Sequence, residues 1–257
     1  MRQTAILLVF LSFAAIGLSG CAAPATATPS PVPDTAVPAA AAPTDDLPPI
    51  AAKLHWFGTS AILYHGSKNV YFDPVLLQGN VPAADVVLIS HAHSDHADIE
   101  SLRRIVTPRT VLIISPDVTS FYESHKAELG VEAIVLDEGE TAEAGGIKVR
   151  AVPAFDTAGH PRSAKGMGYV VEVDGTTIYF AGGTRMYPEM ADIRSDVTIY
   201  PWYQNADILA AAEIMQTKTF IPVHAGYTGV KSFVEVYQKD FPKLTFVALE
   251  PGPYPPL

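Results

Sequence analysis

Residues 90–98 read Ser-His-Ala-His-Ser-Asp-His-Ala-Asp, which places His91, His93, Asp95 and His96 in one short stretch. Side chains two apart in an extended segment leave the backbone on the same side, so His91 and His93 can grip one ion. Asp95 and His96 follow where the chain turns toward a helix, and their side chains can reach a second ion close by. Neutral imidazole and carboxylate suit zinc, and also iron or manganese. The single cysteine is Cys21, so thiolate ligands and cysteine nucleophilic catalysis are excluded from the region that carries the histidines. A polar loop that happens to be rich in histidine is the bland alternative; it leaves four potential ligands at the end of an apolar strand without a cause.

The elements that must position this loop are legible on both sides of it. Asp85–Ser90 is a continuous apolar run of the kind that forms a strand buried on both faces. Asp98 is a candidate N-cap for a helix over Asp98–Val106. Three short strands over Lys53–Gly58, Ser60–His65 and Asn69–Asp73 precede the loop as a meander, with turns at Gly58-Thr59 and Gly66-Ser67-Lys68. After it, Thr110–Ile114 reads as a strand and Pro116–Glu128 as a helix capped by Ser115. Strands are expected at Glu132–Leu136, Ile147–Pro153, Gly168–Val173 and Thr176–Ala181, the last two joined by the hairpin signal Asp174-Gly175. A strand at Val197–Tyr200, a helix at Asp207–Gln216, a strand at Thr219–Val223, a helix at Val230–Lys239 and a strand at Leu244–Leu249 complete the pattern. Two β-rich halves with covering helices imply an α/β fold with two sheets face to face and helices outside.

The formal net charge is −10. A phosphate backbone needs a Lys/Arg surface, so nucleic acid is not an expected partner. The expected partner is a small-molecule substrate; the sequence does not reveal the oligomeric state.

The N-terminal part has a different logic. Residues 1–20 read as a signal peptide, with Arg2 at the positive start and an apolar run over Ala5–Leu18. Leu18-Ser19-Gly20-Cys21 resembles the bacterial lipobox, which implies a lipidated Cys21 as the first mature residue. Residues 21–51 are rich in Ala, Pro and Thr, too poor in apolar surface to offset their ordering entropy, and read as a semi-rigid tether. The folded domain is then 52–257, held on the extracytoplasmic side of a bacterial membrane at the cell envelope.

The His-x-His-x-Asp-His pattern resembles the hallmark of the metallo-β-lactamase fold superfamily, and the resemblance extends beyond it. The segment from Trp56 through Asp73-Pro74 is similar to the family's opening strands, with Asp73 at a characteristic acidic position near the site. Gly168–Thr184 and Phe220–Gly226 resemble later blocks. The similarity covers about residues 53–250 and points to lactonase- and phosphodiesterase-like hydrolases. It implies a four-layer αββα sandwich with metal at one sheet edge. It also implies that His91 and His93 bind a first ion, and that Asp95, His96 and His224 bind a second. His160 is the candidate for the remaining first-site position, with Asp156 as an alternative oxygen ligand. His55, His65 and His125 lack such context and read as structural or exposed.

Three departures from the family pattern stand out. Gly183, in Ala181-Gly182-Gly183-Thr184, occupies the place where these hydrolases read an Asp that bridges two metals. With Asp95 as the remaining ligand carboxylate, the second ion is expected to bind weakly. Thr59 stands where relatives often carry His. Tyr200-Pro201-Trp202-Tyr203-Gln204 replaces a glycine-rich segment, and its aromatics either line the cleft or belong to the core.

The functional expectation is a metal-dependent hydrolase in which a metal-bound hydroxide attacks an ester, lactone, amide or phosphodiester. If the second ion is missing, Asp95 is expected to serve as general base or to orient the water. The cofactor is one or two zinc ions, with manganese or iron as alternatives. The rival expectation is a degenerate, non-catalytic member of the same fold that binds a ligand or a metal.

Overall fold

A computed structural model describes residues 47–157 and 159–255. The expected signal peptide, Cys21 and most of the expected tether lie outside the described residues. Ile50 and Ala51 already pack against the core, ahead of a 3-10 turn at Ala51–Lys53.

The first sheet is built from β1 (Leu54–Gly58), β2 (Ala61–His65), β3 (Asn69–Phe72), β4 (Val86–Ile89), β5 (Val111–Ile114) and β6 (Ala133–Val135), paired in that order. The β1–β2–β3 meander is antiparallel, and β3 through β6 are parallel. Helix α1 (Ile99–Ile105) follows β4, and α2 (Thr119–Leu129) follows β5. The Asp98 carboxylate accepts from the Glu100 and Ser101 amides and starts α1. Gly130, in the left-handed region at φ 65°, ends α2.

The second sheet has the order β13-β12-β11-β10-β9-β8-β7. Its members are β7 (Thr141–Ala144), β8 (Ile147–Pro153), β9 (Met167–Val173), β10 (Thr176–Phe180), β11 (Arg194–Pro201), β12 (Gln216–Val223) and β13 (Thr245–Phe246). The β7–β10 part is antiparallel and β10–β13 parallel. Asp174 and Gly175 take φ of 50° and 72° at the β9–β10 hairpin, as a two-residue primed turn requires. Helices α3 (Asn205–Ile214) and α4 (Tyr227–Tyr237) cover the parallel part.

Period-two alternation sorts the side chains into three apolar layers. Val86 and Leu88 of β4, with Ile62 and Tyr64 of β2, meet Tyr169, Val171, Phe180, Ile199 and Ile221 between the sheets. Val87 and Ile89 point the other way, to Leu102, Ile105 and Tyr122 of α1 and α2. Tyr179, Tyr200 and Phe220 pack against Ile208, Ala211 and Phe233 of α3 and α4. Three apolar seams between four layers make this an αββα sandwich.

Several sequence expectations shift in detail. Pro116–Val118 is a 3-10 turn ahead of α2, and Ser115 makes no side-chain cap hydrogen bond; its buried Oγ has no partner among the described residues. Strand β7 is not among the expected strands, because Thr141–Ala144 carries Glu143 and alternates only weakly; pairing to β8 makes it a strand. The last strand shrinks to Thr245–Phe246. No helix among the described residues is long and apolar enough to cross a membrane.

Candidate metal centre

The parallel relations put the carboxyl ends of β3, β4, β8, β10, β11 and β12 at one edge of the sandwich, and the predicted site residues leave from there. Asp73 follows β3, the His91–His96 loop follows β4, His160 lies beyond β8, Gly183 beyond β10 and His224 directly after β12. Cross-sheet hydrogen bonds hold the two rims together. The Met167 amide donates to Ser90 O (2.9 Å) and the His224 amide to Thr59 O (2.8 Å), and Tyr169 Oη donates to Ile89 O (2.8 Å). Thr59, Asp73 and His224 all sit at positive φ (47°, 42° and 66°). Such backbone costs energy in a non-glycine residue and persists where the surroundings over-determine it; here all three positions lie on this rim.

Six side chains converge as two triads. His160 Nε2 lies 3.0 Å from His91 Nε2 and 3.0 Å from His93 Nδ1. His96 Nε2 and His224 Nε2 are 3.3 Å apart, and Asp95 Oδ2 is 3.3 Å from His224 Nε2 and 3.8 Å from His96 Nε2. Zinc–nitrogen bonds of about 2.0–2.1 Å in a tetrahedron separate neighbouring donor atoms by roughly 3.4 Å, so both triads have the spacing of ligands around one ion. The triads adjoin: the His91 and His96 ring centroids are 3.9 Å apart.

Hydrogen bonds behind the rings select which nitrogen faces the centre. The fully buried Asp73 carboxylate accepts from the Ser90 amide (2.6 Å), from Ser90 Oγ (2.6 Å) and from His96 Nδ1 (2.6 Å). That leaves His96 Nε2 as a free lone pair. Ser90 Oγ, having donated to Asp73, accepts from His91 Nδ1 at 2.9 Å, which frees His91 Nε2 in turn. Asp156 does the same for His160, whose Nδ1 lies 3.1 Å from Asp156 Oδ2; Asp156 Oδ1 accepts from the Gly159 and His160 amides. Three carboxylate- or hydroxyl-backed imidazoles thus turn Nε2 inward, the arrangement that fixes tautomer and ring direction around a metal. Asp156 stands behind His160 and Asp73 stands behind His96.

Burial, and then the neighbouring imidazoles of His96, His160, His93 and His224, hold His91 far below its ordinary value of 6.5. Burial and then His96 lower His224 as well. Both rings are therefore neutral at physiological pH, the form that donates a lone pair to a cation. His91 and His96 are buried, whereas the Asp95 side chain is 50% exposed and His93 is exposed, so the site opens on the His93–Asp95 side.

Gly183 lies against this cluster. A Cβ added there would come within 2.8 Å of His91 Cε1 and 3.1 Å of His160 Nε2, so the absent side chain is what lets these two rings close up. Gly182 has φ 65°, and its Cβ would strike Ser90 Cβ at 2.8 Å; only glycine fits that turn. The aromatic segment divides. Tyr200 is core and hydrogen-bonds Asp207, and Trp202 packs on Phe233. Tyr203 instead presents its ring to His224, with centroids 5.2 Å apart. His55, His65 and His125 lie away from the site, on Gly252 O, Asn69 and Glu128. Sequence reading did not find the Ser90 relay or Arg185, whose guanidinium stands over the Tyr203 ring; an isolated serine or arginine carries no motif.

A four-layer sandwich with a three-histidine triad and an adjoining Asp-His-His triad at one strand-end edge defines a metal-binding protein of the metallo-β-lactamase type. The chain belongs to the family described as Beta-lactamase superfamily domain, whose model matches residues 53–224. It is similar to a UPF0173 metal-dependent hydrolase of Methanocorpusculum labreanum, 31% identical over 207 residues, 74% of this chain and 88% of the relative. A UPF0173 metal-dependent hydrolase of Methanoregula boonei is 30% identical over 188 residues, 66% of this chain and 81% of the relative. Among solved structures, the fold is shared with Igni18, a metallo hydrolase from Ignicoccus hospitalis, at TM-score 0.62 and 21% identity, covering 77% of this chain and 95% of that one.

Proposed function

We propose that the protein hydrolyses a small-molecule ester, lactone, amide or phosphodiester, with zinc held by His91, His93 and His160 and a second, weaker ion held by Asp95, His96 and His224. The observation that carries the reading is the pair of triads with their lone pairs turned inward by Asp73, Ser90 and Asp156. A bound zinc ion lowers the pKa of water to about 7 and polarises an acyl or phosphoryl oxygen. The chain's own residues do the rest. Where the second ion is absent, Asp95, half-exposed on the open side, takes the proton of the attacking water or orients it. Asp73 and Asp156 hold the ligand imidazoles against rotation. Tyr169, Phe180 and the apolar seam behind the rim keep water from entering between the sheets. Gly183 supplies no bridging carboxylate, so Asp95 is the one carboxylate among the six proposed ligands, and mutual repulsion of two dications is poorly compensated.

The test is paired substitution. His91→Ala is expected to lose both bound zinc and all turnover across an ester and phosphodiester panel. Asp95→Asn is expected to keep the first ion and lose at least about a hundredfold in kcat, the scale of general-base catalysis. Full activity in both variants would sink the scheme.

A further inference from the structure

Arg185 and Tyr203 have no role in holding metal, yet both stand at the cluster. Arg185 lies two residues beyond Gly183, whose backbone abuts His91 and His160. Its guanidinium sits 5.1 Å from the centroid of the Tyr203 ring. Arg103 and Arg162 are paired with carboxylates; Arg185 has no such partner within ion-pairing distance among the described residues. The Tyr203 ring stands edge-on to His224. Its Oη is buried and has no hydrogen-bond partner among the described residues. A buried hydroxyl without a partner forfeits hydrogen-bond energy unless something else supplies the acceptor. A phenol keeps its proton at neutral pH and is therefore available as a donor. An unpaired cation and an unpaired donor side by side, next to a metal shell containing a single carboxylate, form a site for an anion.

We propose that Arg185 and Tyr203 form an oxyanion-binding subsite beside the proposed metal ligands, so that the substrate carries a carboxylate or a phosphoryl group next to the bond that is cleaved. This rests on the metal-dependent hydrolase reading and narrows its substrate class. The guanidinium offers two parallel N–H donors to such a group, and Tyr203 Oη adds a third. With no carboxylate at position 183, an anionic group of the substrate can compensate part of the positive charge of bound metal and Arg185.

The experiment uses the full chain reconstituted with zinc, as wild type, Arg185→Gln and Tyr203→Phe. Zinc content and melting temperature are measured on each, and inorganic phosphate and acetate are titrated by calorimetry. Tyr203→Phe removes a hydroxyl that has no hydrogen-bond partner among the described residues, so it tests the subsite without disturbing the fold. The expected result is a loss of roughly tenfold or more in anion affinity for Arg185→Gln and of severalfold for Tyr203→Phe, the scale of charge-assisted and neutral hydrogen bonds, at unchanged zinc content. A loss confined to phosphate or to acetate supports the subsite and assigns its chemistry. Equal affinities in all three proteins overturn it. In parallel, turnover of mono-p-nitrophenyl succinate is compared with that of p-nitrophenyl acetate. The succinate-to-acetate ratio of kcat/KM is expected to fall in Arg185→Gln through KM; an unchanged ratio counts against the subsite. Wild-type inactivity on every ester and phosphodiester, with the anion affinities still separated by variant, would sink the hydrolase reading and leave the binding site standing.

Discussion

At the scale of single residues, Gly183 decides more than its size suggests. Its α-carbon faces His91 and His160 at distances that leave no room for a side chain without displacing the rings. Two substitutions there separate sterics from charge. Gly183→Ala adds the Cβ alone and is expected to weaken the first zinc site, because His91 Cε1 must yield. Gly183→Asp adds the same Cβ with a carboxylate and is expected to raise the zinc retained after dialysis from about one ion toward two, as the added charge compensates the second dication. Elemental analysis of dialysed samples reads both; two stoichiometric ions in the unaltered protein would overturn the charge argument. The residues behind the rings matter as much as the ligands. His91 can turn Nε2 inward because Ser90 Oγ accepts from its Nδ1, and Ser90 Oγ is free to accept because it donates its own hydrogen bond to Asp73.

At the scale of elements, the site is an assembly of strand ends. Strand β3 delivers Asp73 and its neighbour β4 delivers Ser90 and His91, so one carboxylate can bond both the amide and the hydroxyl of the adjacent strand's end. Asp73→Asn keeps a residue type that tolerates the left-handed backbone but turns an amide donor toward an environment of donors. It is expected to weaken zinc binding by about 10–100-fold and to destabilise the fold by about 1–3 kcal/mol through unsatisfied buried groups. A competition assay with a chelating dye and urea melts of the zinc-free protein measure the two separately. Unchanged zinc affinity would mean that the His96 ring is held by packing alone. The aromatic segment at the end of β11 illustrates how one short stretch serves two purposes. Tyr200 points into the helix-covered seam and Tyr203 into the site, which the sequence left undecided because burial of an aromatic depends on which neighbours its strand acquires.

At the scale of the whole molecule, the proposed arrangement is a hydrolytic domain displayed on a tether at the cell envelope. In that reading the Ala/Pro/Thr-rich residues ahead of Ile50 supply the tether and Cys21 the acylation site. Cys21→Ser, expressed in a bacterial host, is expected to move the protein from the membrane pellet to the soluble fraction while leaving zinc content as it was. Retention in the pellet would show that attachment does not depend on this cysteine.

The sequence by itself determined the parts that are local. The ligand types crowd into residues 91–96, the buried run before them declares a strand, and Asp98 declares the helix after them. Each of these signals operates over a few residues, where chain geometry alone dictates which side chains share a side. Tertiary structure decided what completes the triads. His160 meets His91 across 69 residues and His224 meets His96 across 128, and only the closure of one sheet over the other brings those loops to a common edge. It also chose which nitrogen of His91, His96 and His160 faces the centre, through Ser90, Asp73 and Asp156, and it set Arg185, without a carboxylate partner among the described residues, over the Tyr203 ring. Such encounters depend on register and twist summed over two sheets, and no short stretch of sequence contains that sum.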